Sequence, residues 1–182
     1  MAVLVTSSAL HHDAWKVISS VVYGTTLVLL YTISTLYHSV RGPAKSIFQR
    51  LDYCAIYLLI AGSYTPFALV TLRGPGAGRC SASTGRWRPS ALRRNSGSAA
   101  ARLFSLLIYV VMGWLVLIAM GPLAAALPAP GLWWLVAGGA LYTAGIGFFL
   151  FDEKVRHFHG IWHLFVLAGS ACQFVSILLY VG

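Results

Sequence analysis

Long uncharged apolar runs alternate with short polar breaks along this chain. A helix crossing a bilayer needs about 20 mainly apolar residues, because lipid offers no hydrogen-bond partner to the backbone. Residues 17–38 and 53–72 each supply such a run. Residues 103–151 carry no charge at all, too long a stretch for one crossing. Gly121-Pro122 and Leu127-Pro128-Ala129-Pro130-Gly131 break it, which predicts helices over 103–121 and 132–151. A further helix is predicted over 160–181. The opening MAVLVTSSAL is apolar but covers about half a crossing. It reads as the tail of an earlier span; no basic segment precedes it, as a cleaved signal peptide would require. The pattern predicts an all-α multispan bundle, one transmembrane domain over 1–182.

Composition agrees. Hydrophobic residues make up 58% of the chain and charged residues 9%, far below the roughly 25% of soluble domains. The formal charge of +9 is concentrated: seven of the 13 basic residues (Arg73, Arg79, Arg86, Arg88, Arg93, Arg94, Arg102) fall in one acid-free stretch. The other six stand against four acids, a balance of +2. With no recognised reading module, that charge does not make a nucleic-acid binder. Cys54, Cys80 and Cys172 are too scattered for a disulfide scaffold or a cysteine zinc site.

Basic residues in short loops stay on the cytoplasmic side. Arg41, Lys45 and Arg50 therefore put the first loop inside, and the uncharged turn at 121–131 falls outside. The loop at 152–159, with Lys154, Arg156 and His157, is then inside. Parity demands one more crossing between 73 and 102. The basic segment 74–101, rich in Gly, Ser, Pro and Arg, cannot supply it, since each central Arg costs roughly 2.5–3.5 kcal/mol.

Sidedness also gathers chemistry at one membrane face. Ser34 and His38 are an i,i+4 pair at the inner end of the first full span, and Asp52 opens the next. His159 and His163 form another i,i+4 pair at the inner start of the last. Ionisable groups in spans are costly and usually face a bundle interior or cavity. Zinc accepts three such ligands with a position open for water, whose pKa it lowers to near 7. Asp52 would then handle the proton, and Ser34 would donate to a substrate carbonyl or oxyanion. From spacing alone, three readings stay open: a metal site, hydrogen bonds between helices, and anchoring at the interface. His11, His12 and His157 read as loop residues, His157 lying on a different helix face from His159. Trp15, Trp114, Trp133, Trp134 and Trp162 fit an aromatic belt. Pro66 should kink its helix, while Gly138-Gly139 and Gly145 with Gly147 suit close packing.

Three runs carry a family resemblance: LYTISTLYHSVRGPAKSIFQRLDYCAIYLLIAGSYTPFALVTLRGP, MGWLVLIAMGPL and HGIWHLFVLAGSACQFVSILLYV. In them the chain resembles the bacterial hemolysin III family, within the superfamily that includes progestin and adiponectin receptors. The resemblance implies a seven-span membrane protein with a zinc site near the cytoplasmic ends. It implies His38, His159 and His163 as ligands, with Asp52 and Ser34 as partners of the water on the metal. It also implies a multi-pass protein of the bacterial plasma membrane, with membrane lipids as partners. Against that pattern the first span is truncated and the fourth is lost or scrambled, replaced by 74–101. The abrupt loss and return of resemblance suggest a pair of compensating frameshifts.

The leading expectation is a zinc-dependent hydrolase of a lipid amide or ester bond, holding the lipid in a bundle cavity, or a factor in lipid homeostasis. The alternatives are a pore-forming cytolytic protein and a membrane-state sensor with structural zinc.

Overall fold

The computed structural model describes residues 1–10, 13–72 and 99–181, and of 99–102 the backbone alone. The expectations for His11, His12 and the basic segment as far as residue 98 lie outside the described residues. All described secondary structure is helical. Five helical runs among the described residues are long and apolar enough to cross a membrane: Ala14–Ser39, Ala44–Thr71, Leu103–Ala126, Ala129–Leu150 and Phe158–Tyr180. At about 1.5 Å per residue, runs of this length match a hydrocarbon core of about 30 Å. The chain divides into two compact units, Met1–Ala119 and Met120–Gly182.

The first unit begins with α1 (Ala2–Leu10) and α2 (Ala14–Ser39). Asp13 caps α2, its carboxylate accepting from the Trp15 N–H at 2.9 Å, which satisfies one orphan donor of the first turn. Ser8 and Ser20 join α1 to α2 through a fully buried hydroxyl pair 2.6 Å apart. Gly24 leaves room for Met1 beside it.

Helix α3 (Ala44–Pro66) follows a turn in which Gly42 takes φ 81°, a conformation glycine adopts without Cβ strain. Lys45 Nζ lies 5.4 Å from the centre of the Tyr37 ring, a cation–π contact across that turn. Gly62 lets α3 press on α2, where any Cβ would collide with Thr26. Thr26 turns its own hydroxyl back to the Tyr23 carbonyl at 2.9 Å, so no polar atom is stranded at that crossing.

Among the described residues of this unit, two places depart from regular α geometry, and each has a cause. Pro66 has no N–H to offer the carbonyl four residues earlier. The chain passes it by widening into a π turn, Phe67–Thr71, with the Leu72 N–H donating to the Phe67 carbonyl at 2.9 Å. The expected kink site is thus met by a wider turn. In α4 (Ala99–Trp114) the Tyr64 hydroxyl donates to the Met112 carbonyl at 2.6 Å, lies 2.9 Å from the Gly113 carbonyl, and accepts from the Val116 N–H at 3.1 Å. It stands between the two groups that an α ladder would join, and the chain tightens to a 3₁₀ turn over Leu115–Ala119.

The second unit holds α5 (Met120–Ala126), α6 (Ala129–Leu150) and α7 (Phe158–Tyr180). Gly121-Pro122 does not break the run as the breaker pattern suggested. Pro122 is the third residue of α5, directly after the 3₁₀ turn over Leu115–Ala119, and the helical run passes through it. The break is confined to Leu127-Pro128. Helices α6 and α7 pack antiparallel: Gly131 meets Tyr180, Gly138 meets the Gly169 backbone and Gln173, and Gly145 meets Phe165. Small residues allow this close approach, which supplies the packing that lipid cannot drive by hydrophobicity. Gly139 and Gly147 face open space, so the close packing falls on Gly138 and Gly145, together with Gly131, which the sequence pattern had assigned to the turn. Ser176 donates to the Gly131 carbonyl at 2.8 Å, and the Tyr142 and Ser170 hydroxyls pair at 2.8 Å.

This packing makes a direct prediction. Gly138→Leu should cost about 1–3 kcal/mol by overpacking and lower the thermal midpoint in detergent. Gly139→Leu, one residue away, should leave it unchanged. Equal effects of the two would contradict the α6–α7 register.

Candidate metal centre

In the second unit the chemistry lies where α6 turns into α7. The Phe151 and Asp152 N–H groups donate to Phe148 and Phe149 at 3.3 and 3.4 Å, and Lys154 and Val155 N–H groups donate to Phe151 at 3.0 Å. The turn ends on His157, whose φ of 72° is the one positive φ at a described non-glycine residue. Its carbonyl already accepts from the Ile161 N–H at 3.0 Å, so it starts α7. His157 is a conformational element of the turn and is exposed.

One turn of α7 then presents two imidazoles to each other. His159 Nε2 and His163 Nε2 stand 3.1 Å apart, with the rings edge to face at 85°. Aromatic rings hold this start of α7 against the end of α6: Phe148 lies on Phe158 and Phe165, and Phe149 on Trp162. Trp162 also flanks both histidines, at 5.2 and 4.5 Å between ring centres. The other nitrogen of His159, Nδ1, lies 2.7 Å from Asp152 Oδ2, a contact brought about by the turn.

The pair fits zinc on geometric grounds. Two nitrogens at 2.0–2.1 Å from a tetrahedral ion lie about 3.3 Å apart, close to the 3.1 Å found here. The donor set is imidazole with a carboxylate behind it, the arrangement that orients histidine ligands.

The remaining candidate residues belong to the first unit. Ser34 is half-buried on α2, and His38 is exposed one turn further along, its ring 4.7 Å from that of Tyr37. Asp52 differs from expectation in its setting. Because α3 starts at Ala44 rather than Tyr53, Asp52 sits in the third turn of a helix, 9% exposed, instead of at its mouth. The charges of AKSIFQRL suggest a loop, yet the segment interleaves them with Ile47, Phe48 and Leu51 at helical spacing. Asp152 is the residue that sequence reasoning passed over. Its signal was faint: an acid seven residues before His159, meaningful only once the turn is known to fold it back.

Five apolar crossings and an imidazole pair suited to a metal define a multi-pass helical membrane protein with a metal-binding motif. The comparisons with known proteins specify it further. The chain belongs to the Haemolysin-III related family, whose model matches residues 1–174. Hemolysin-3 of Bacillus cereus is 42% identical, covering 100% of this chain and 83% of the relative. The Hemolysin-3 homolog of Bacillus subtilis is 37% identical, over 97% of this chain and 84% of the relative. The human monocyte to macrophage differentiation factor is 31% identical, over 97% and 77%. No solved structure matches the chain. Bacterial relatives and membrane-length helices make this a multi-pass protein of the bacterial inner membrane.

The turn yields its own prediction. Removing the His157 Cβ releases about 1–2 kcal/mol of left-handed strain against about 0.4–1 kcal/mol of added unfolded-chain entropy. His157→Gly should therefore hold or raise the thermal midpoint and leave metal content unchanged, whereas His157→Val should lower the midpoint. Loss of metal in the glycine variant would make His157 a ligand and overturn this assignment.

Proposed function

We propose that this chain is a zinc-dependent hydrolase of the inner membrane, acting on an amide or ester bond of a lipid. In this reading zinc would be held by His159 and His163 of α7 together with His38 of α2. The observation that carries the reading is the convergence of the two Nε2 atoms at 3.1 Å, with a carboxylate on the far nitrogen of one ring. His38 is the third ligand of this reading because the positive-inside argument brings the end of α2 and the start of α7 to the same membrane face, and because the family resemblance implies it.

Zinc bound there supplies Lewis acidity and activates water at neutral pH. The chain's own residues do the rest. Asp52, buried in α3, would take a proton from the attacking water and pass it to the leaving amine or alcohol of the lipid. Ser34, half-buried one turn before His38, donates a hydrogen bond to the lipid carbonyl, and most strongly to the oxyanion that develops there. The apolar helices hold the acyl chain. A seven-span plan whose fourth crossing is replaced over 74–101 is part of the same reading. An apolar run of about 20 residues in another frame of the gene would support it.

Two relatives carry the name Hemolysin-3, which raises pore formation as an alternative. A pore needs polar side chains at many depths, whereas residues 103–151 are uncharged and the ionisable residues gather near helix ends. The hydrolase reading is the better supported.

Elemental mass spectrometry of detergent-purified, monodisperse protein tests the metal. About one zinc per chain is expected, with loss in His159→Ala/His163→Ala and a reduced content in His38→Ala. Zinc-loaded protein should then release fatty acid from a panel of lipid amides and esters, and Asp52→Asn should abolish release while keeping the zinc. Full zinc with no turnover on any lipid would reject the hydrolase in favour of a sensor.

A further inference from the structure

The turn between α6 and α7 places an acid against one imidazole and nothing in the crossing pattern required it. Asp152 Oδ2 lies 2.7 Å from His159 Nδ1, and the Asp152 side chain is only 8% exposed while that of His159 is 38% exposed. The backbone fixes the acid there, since Asp152 lies in the tight turn just after α6 and donates its N–H to the Phe149 carbonyl. Phe149 in turn packs at a tilt against Trp162, which lies between the two histidines in sequence. The acid, the turn and the rings are one packed unit.

A neutral imidazole carries one proton, on either nitrogen. An ionised carboxylate only accepts hydrogen bonds, so a carboxylate at Nδ1 draws the proton to that nitrogen. The lone pair is then left on Nε2, the atom that faces His163 Nε2 at 3.1 Å. The ring plane is fixed by the same bond.

We propose that Asp152 is the positioning residue of the metal centre, holding His159 in the Nδ1–H tautomer so that Nε2 is presented as the ligand atom. This rests on the reading of His159 and His163 as zinc ligands. It adds a carboxylate distinct from Asp52: Asp52 serves the proton of the attacking water, and Asp152 serves the geometry and basicity of a ligand. Asp52 lies within α3 and Asp152 in the turn between α6 and α7, and their substitutions should have separable effects.

The test has two readouts. The first is the nitrogen-15 spectrum of histidine-labelled, metal-free protein in detergent, recorded well above the ordinary imidazole pKa of about 6.5. His159 should show a protonated Nδ1 and an unprotonated Nε2. A His159 that is protonated on Nε2, or divided evenly between tautomers, overturns the proposal without any variant being made. The second is zinc affinity by competition with a chromophoric chelator. Asp152→Asn should weaken zinc by about 10- to 100-fold and shift His159 toward the Nε2–H form. Glu153→Gln, the exposed neighbour in the same turn, should do neither. Zinc affinity of Asp152→Asn within twofold of wild type would contradict the role. Should wild type bind no zinc, the site reading itself fails; the metal-free tautomer still decides whether Asp152 sets the ring.

Discussion

Close approach of α6 to α7 at three glycines governs what the second unit can do. Gly131, Gly138 and Gly145 recur every seven residues, and each admits a specific part of α7: Tyr180, the Gly169 backbone and Phe165. In lipid no hydrophobic force drives helices together, so backbone proximity and the dispersion contacts it allows must do so. That register fixes how far α7 extends past the end of α6. It therefore fixes where the turn closes, and the turn brings Asp152 to His159 and aligns His163 one helical turn beyond.

The same scarcity of partners in lipid explains the irregular places. A regular helix satisfies its own backbone, so every interruption has to be answered. The chain answers Pro66 with a π turn and the 3₁₀ turn after Trp114 with the Tyr64 hydroxyl. Hydroxyls on packing faces bond to carbonyls of their own or a neighbouring helix, as Thr26 and Ser176 do. The nitrogens of His159 and His163 are used differently: they meet each other and a carboxylate.

Much of this was legible in the chain, and for stated reasons. Uncharged runs have one stable form in lipid, so five crossings could be read from length and charge alone. The i,i+4 spacing of His159 and His163 follows from helix geometry, which is why their meeting was foreseeable. Ends were harder. Asp52 looked like a span opening because Lys45 and Arg50 precede it, but basic side chains on an interfacial turn do not stop a helix. Pro122 looked like a breaker because composition does not reveal which turn of a helix a proline will occupy. Gly138 and Gly139 are indistinguishable by residue type, and only the direction of their faces separates a packing glycine from a neutral one. Asp152 was hidden because its importance depends on a reversal ending at a left-handed histidine, a conformation that glycine usually signals and this sequence does not.

Helix α7 begins with two imidazoles whose facing nitrogens lie at the spacing of ligands sharing one metal ion. Zinc-edge X-ray absorption on the purified, zinc-loaded protein tests it most directly. The expected result is an inner shell of nitrogen and oxygen at about 2.0–2.1 Å, with outer-shell scattering from at least two imidazole rings and no sulfur at about 2.3 Å. A sulfur shell, or an inner shell without imidazole scattering, would contradict it.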